Sequence, residues 1–144
     1  MLTHLFKIKR KNKEIIKEVP LVFGISGVAR CGKDTLASHL EKKFNKARKY
    51  PASVVSLASA AKRDLDPFLK EKFNISAFTK STKEKDIIRP LLVCYATEIF
   101  RNKINKDHWI EQIKNRVETN IKTNIITLIP DVRYENEVRW IKSV

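Results

Sequence analysis

The chain has 144 residues, enough for one domain with a real core, and 30 Lys and Arg against 16 Asp and Glu give it a formal net charge of +14. That balance favours anionic partners such as nucleotides, nucleic acid or an acidic surface, although much of the Lys excess is scattered as on an ordinary solvated face. Two cysteines, Cys31 and Cys94, exclude a disulfide framework and a Cys-rich metal site, and no apolar run is long enough for a signal peptide or a membrane span, so a cytoplasmic protein without membrane partners is expected.

Residues 1–19 read as a basic leader and 20–144 as the folded domain. PLVFGIS, Pro20 to Ser26, is a short apolar run bounded by Pro and Gly, which predicts a buried strand. The glycine loop GVARCGKDT, Gly27 to Thr35, follows at once, and Leu36, Leu40 and Phe44 then recur at helical spacing. SVVSLA, Ser53 to Ala58, predicts a second strand, followed by the helical AAKRDLDPFLKEKF. FNISAFTKSTKEKD is polar and predicts a loop, and Ile87 to Ile99 predicts a long helix starting near Pro90. Trp109, Ile113, Val117 and Ile121 mark another helix, NIITLIPD a third buried strand, and YENEVRWIKSV the start of a further helix. Buried strands separated by helices predict an α/β fold, a parallel sheet with helices on both faces and a ligand at the carboxyl ends of the strands.

Gly27 to Thr35 is almost the phosphate loop G-x-x-x-x-G-K-[ST], with Asp34 where the hydroxyl residue belongs. Gly27 and Gly32 let backbone amides turn toward phosphate oxygens, and Lys33 supplies a point charge for the β- and γ-phosphates. Asp34, directly or through water, and Thr35 are the candidate Mg²⁺ ligands. Asp131 reads either as a water-mediated Mg²⁺ ligand or as a helix N-cap, and Arg133 as a cation for a phosphate in transfer. Arg89 and Arg101, twelve positions apart, share a face if their helix is unbroken, which suits a phosphate clamp as well as two solvated surface arginines. Thr97 and Glu98 suit sugar or base recognition, or plain helix packing. Cys31 reads as loop filler.

Taken in order, GVARCGKDTLASHL, SLASAAKRDL, RPLLVCYATEIFRNKINKDHWI and IPDVRYENEVRWI resemble segments of the deoxynucleoside monophosphate kinases of bacteriophages and other viruses. The resemblance implies a three-layer P-loop kinase fold. It also implies ATP and Mg²⁺ as cofactors, with Gly27, Arg30, Gly32, Lys33, Asp34 and Thr35 around them and the metal at Asp34, Thr35 and Asp131. Lys33, Asp131 and Arg133 would be catalytic. Lys62, Arg89, Glu98 and Arg101 would bind a nucleoside monophosphate, in the host cytoplasm if the chain is viral. Asp34 also occurs in that family's loop, so it marks a variant and not a broken site. Two departures bear on the acceptor: Ala96 precedes Thr97-Glu98 where Gly-Thr-Glu is usual, and Tyr134-Glu135 replaces Phe-Pro. Relatives continue beyond the helix in which Val144 falls, so either a compact or truncated version, or a site completed by another chain, as in a homodimer, is expected. A kinase of another small phosphorylated acceptor, such as phosphomevalonate, is the alternative within the enzyme class. An inactive nucleotide- or nucleic-acid-binding relative is the alternative outside it, disfavoured by intact Lys33, Asp131 and Arg133 and by the lack of an aromatic-studded basic stripe.

Overall fold

The computed structural model describes residues 21–47 and 50–144 in full, and residues 8–11 and 14–17 by their backbone. Strands β1 (Ile8–Lys11) and β2 (Glu14–Lys17) pair antiparallel, Ile8 opposite Lys17, so the stretch expected as a leader carries a pair of strands. The expected boundary at residue 19 lies outside the described residues.

The main sheet is small and wholly parallel. β3 (Val22–Gly24), β4 (Ala52–Val54) and β5 (Ile126–Ile129) stand in the order β3-β5-β4, with Phe23 and Val54 both beside Leu128. All four residues of β5 are buried, as a central parallel strand covered on both faces requires. Its alternating side chains feed two cores. Ile126 and Leu128 pack with Ala37, Leu40 and Phe44 of α1 (Lys33–Ala47), whereas Ile129 joins Trp109, Ile110, Ile113 and Val117 of α4 (His108–Lys122). Each such aliphatic side chain contributes about 1.5–3 kcal/mol by leaving water. Thr127, also fully buried, faces α4, where its hydroxyl accepts a 2.9 Å hydrogen bond from Asn120 Nδ2. Trp140 and Ile141 of α5 (Glu135–Ser143) pack on the same core as α4, so helices cover both faces of the sheet as expected.

Between β4 and α4 the chain builds a helical wall: α2 (Ala58–Phe73), α3 (Thr82–Val93) and a π-helical segment, Cys94–Ile104. Here the structure corrects the expected loop. Helix α3 begins at Thr82, and Pro90 lies inside it, well past the first turn. The start is set by Ser81, whose hydroxyl accepts from Glu84 N at 3.4 Å in the S-x-x-E pattern that opens helices. The preceding turn is also fixed. The Asp66 carboxylate accepts from Ser76 Oγ (2.7 Å) and Ala77 N (2.8 Å), while Ile75 and Ala77 pack with Leu69 and Ile88. Beyond Val93 the helix widens to π geometry, ending with Asn105 N donating to Phe100 O at 2.8 Å, five residues back. Trp109 Nε1 donates to Ala96 O at 2.9 Å, tying this segment to α4. Among the described residues no helix is long and apolar enough to cross a membrane.

Candidate active site

The phosphate-type loop leaves β3 at the carboxyl edge of the sheet and turns directly into α1. Gly32 has φ +87°, and a Cβ at Gly27 would stand 2.9 Å from Cys31 Sγ, so neither position accepts a side chain without rearrangement. Arg30 also has a positive φ, 63°, a conformation that costs an L residue about 1–2 kcal/mol and concentrates at functional loops. Lys33 Nζ closes the loop by donating to Gly27 O (2.8 Å) and Val28 O (2.6 Å). The first amides of α1, which begins at Lys33, have no partner inside the helix, and with the helix dipole they offer positive charge to an anion at the loop. Arg30 Nη2 reaches across to Asp86 Oδ1 of α3 at 2.7 Å.

Asp131, just past β5, has a structural task that its sequence context did not reveal. Its Oδ2 accepts from Ser56 Oγ (2.7 Å) and Ala58 N (2.8 Å), and its Oδ1 from Leu57 N (3.0 Å). It therefore caps the N-terminus of α2 from a different strand, where a cap on its own following helix was one expectation. That helix, α5, is capped by Glu137, whose Oε2 accepts from Arg133 N (2.7 Å) and Tyr134 N (2.9 Å). The two carboxylates lock the DVRYENE segment against the strand ends.

A cavity of about 350 Å³ opens at these strand ends, within the size range of small-molecule sites. Of the expected residues, Arg30, Lys33, Asp34, Lys62, Arg89, Arg101, Asp131 and Arg133 line it. Gly27, Gly32 and Thr35 belong to the loop beside it without lining it. Glu98 also falls outside the lining; it is exposed and accepts from Asn102 Nδ2 at 3.2 Å. Arg89 and Arg101 are brought to one cavity, but across a change from α to π winding and not along a uniform α-helical face. Residues missed from sequence include Lys85, one turn before Arg89 on α3, and Glu137, which also lines the cavity; Tyr134, one of the two departures that bear on the acceptor, lines it too. The spacing of Lys85 and Arg89, four apart, was the available signal.

Cations dominate the electrostatics. Lys85, Arg89 and Arg133 have no carboxylate or aromatic partner among the described residues, and Lys62 has only the Phe78 ring, 6.0 Å away. Asp131 and Glu137 are engaged by backbone donors, which leaves Asp34 as the uncommitted carboxylate in the lining. Ala61, Ala77, Ile88, Leu92 and Trp109 supply an apolar stretch of the wall, and Ser56, Thr97 and Tyr134 add hydroxyl groups to the lining. The loop fits a polyphosphate, since its turn, its lysine and the open amides of α1 converge there. Among the described residues no three His, Cys, Asp or Glu side chains cluster as a metal cage. That donor set fits Mg²⁺ in its usual role with nucleotides, held by one or two carboxylates plus phosphate oxygens.

The family model for phosphomevalonate kinase matches residues 25–144, from just after β3 through the loop, the helical wall and the DVR segment. The chain belongs to the phosphomevalonate kinase family. The family is one of kinases, so membership supports a phosphotransferase and agrees with the alternative acceptor, a small phosphorylated compound, better than with a nucleoside monophosphate. Of the motif resemblance to viral deoxynucleoside monophosphate kinases, the match supports the kinase and adds no support for a nucleotide acceptor or a viral origin. No curated protein and no solved structure matches the chain significantly.

Proposed function

We propose that this chain adopts a P-loop kinase fold and transfers the γ-phosphoryl group of ATP to a small phosphorylated acceptor, with phosphomevalonate first among candidates. The observation that carries the proposal is the set of cations without carboxylate partners, Lys62, Lys85, Arg89 and Arg133, around a cavity that opens beside a phosphate-type loop. Unpaired cations at a cavity favour anionic ligands, and transfer between two phosphates needs them at both ends. The aliphatic wall and the position of Glu98 outside the lining favour an aliphatic acceptor over a nucleotide.

In this reading the loop amides, Gly27, Gly32 and Lys33 bind the β- and γ-phosphates, and Arg30 exchanges Asp86 for a phosphate oxygen. Lys62, Lys85, Arg89 and Arg101 hold the acceptor phosphate so that its oxygen faces the γ-phosphorus in line with the departing ADP oxygen. Lys33 and Arg133 neutralise the charge on the phosphoryl group in transfer, the usual main source of rate for this reaction. Mg²⁺, held by Asp34, Thr35 and water on Asp131, would supply charge neutralisation between the phosphates.

A nucleoside monophosphate acceptor is the second reading, favoured by Thr97 and Trp109, a hydroxyl and an aromatic ring in the lining. ADP release measured with Mg·ATP against phosphomevalonate and a panel of nucleoside and deoxynucleoside monophosphates separates the two. Turnover led by phosphomevalonate is expected; turnover confined to nucleotides selects the second reading, and none with any acceptor refutes both.

A further inference from the structure

We infer that Tyr134 and Asn136 are positioning residues that hold the Arg101 guanidinium ready for the acceptor phosphate, an inference that rests on the function just proposed. Arg101 sits on the π-helical segment, and three contacts fix its head. Its Cζ lies 3.6 Å from the centroid of the Tyr134 ring, its Nη2 donates to Asn136 Oδ1 at 3.0 Å, and its Nη1 donates to Lys106 O at 3.4 Å. Asn136 is itself fully committed: its Nδ2 donates to Lys106 O (3.1 Å) and to Asp107 Oδ1 (2.8 Å). The amide orientation is thereby fixed, because only the oxygen can face the arginine.

Among the described residues no carboxylate neutralises Arg101. A ring face, an amide oxygen and a carbonyl hold it, and these orient a guanidinium without cancelling its charge. Two of its five N–H donors are used, so three remain for an anion. A long side chain held in place beforehand loses less freedom when it binds. The same contacts join the π-helical segment, the 106–107 turn and the start of α5, so residues that follow Asp131 and Arg133 in sequence set the position of a cation on the opposite wall. Sequence spacing gave no hint of this, since Arg101 and Asn136 are 35 residues apart.

Steady-state kinetics with phosphomevalonate and Mg·ATP test the inference. Tyr134→Leu and Asn136→Ala should each raise KM for the acceptor roughly three- to tenfold while leaving KM for ATP within about twofold. Tyr134→Phe keeps the ring face and should behave as the parent. In an Arg101→Ala background, Tyr134→Leu should add no further effect, because its influence passes through the arginine. A raised acceptor KM for Arg101→Ala, with both positioning variants unchanged or additive to it, overturns the inference and leaves the proposed function standing. An unchanged acceptor KM for Arg101→Ala overturns the placement of Arg101 in the acceptor site, and the inference with it. If Asn136→Ala lowers the thermal midpoint sharply, the Tyr134→Phe and Tyr134→Leu pair decides alone.

Discussion

Asp131→Asn isolates the tie between β5 and α2. The isosteric amide can keep its oxygen where Oδ2 accepts from Ser56 Oγ and Ala58 N, but an NH₂ then replaces Oδ1 and faces Leu57 N. One charge-assisted bond, worth about 1.5–3 kcal/mol, is lost. The favourable placement of a negative charge at a helix N-terminus, about 0.3–1 kcal/mol, goes with it. A total near 2–4 kcal/mol corresponds to a fall in thermal midpoint of roughly 5–15 °C for a domain of this size. Leu57, Ala58 and Ala61 line the cavity, so the start of α2 should shift and kcat should fall as well. Thermal and urea unfolding followed by circular dichroism give the stability change. A midpoint within about 2 °C of the parent would refute the capping role, whatever happened to activity.

Four further outcomes follow from the geometry. Lys33→Ala should abolish phosphoryl transfer; it should also loosen the loop slightly, since Lys33 holds the Gly27 and Val28 carbonyls, and a kcat near the parent's would remove the loop from the chemistry. Gly32→Val places a β-branched residue at φ +87° and should weaken ATP binding at least tenfold by titration calorimetry. Mg²⁺ should tighten ATP binding by at least about tenfold, roughly 1.4 kcal/mol, because Asp34 otherwise faces the triphosphate directly; tight metal-free binding would contradict its metal role. Hydrogen bonds from Lys70, then Ser76 and Ala77 N, hold the Asp66 carboxyl below its ordinary value of 3.8. A depressed folded value adds stability above the unfolded value that is lost as pH falls through the folded one, so the parent should lose stability below about pH 4 more steeply than Asp66→Asn in unfolding measurements.

The features carried by local chemistry were legible in the sequence. β5 was read as a buried strand from the apolar run IITLI, though not as the central one, and the strand–loop–helix around Lys33 followed from glycine and lysine spacing. The start of α3 was misplaced although Ser81 and Glu84 carried the signal, because Pro90 was read as a first-turn residue when it lies deep in the helix. The π-helical segment has no local signature: its apolar residues also satisfy α spacing, and the widening shows only in bonds such as Asn105 N to Phe100 O. Contacts across long stretches of chain were hidden for the same reason. Asp131 binding Ser56, or Arg101 stacking on Tyr134, depends on how elements pack and not on any spacing within one of them. Most candidate cations nevertheless converged, because residues at the carboxyl ends of adjacent parallel strands, and on the helices beside them, share one edge of the sheet.

The central claim is phosphoryl transfer from ATP to a phosphorylated acceptor at this cavity, and its most direct test follows the phosphoryl group itself. Purified protein is incubated with Mg·ATP labelled at the γ-phosphate and with phosphomevalonate, and the label is traced by chromatography. The account predicts label in the acceptor diphosphate, dependent on Mg²⁺ and abolished by Lys33→Ala. Label that stays in ATP or appears only as inorganic phosphate, with phosphomevalonate and with every nucleoside monophosphate tried, would contradict it.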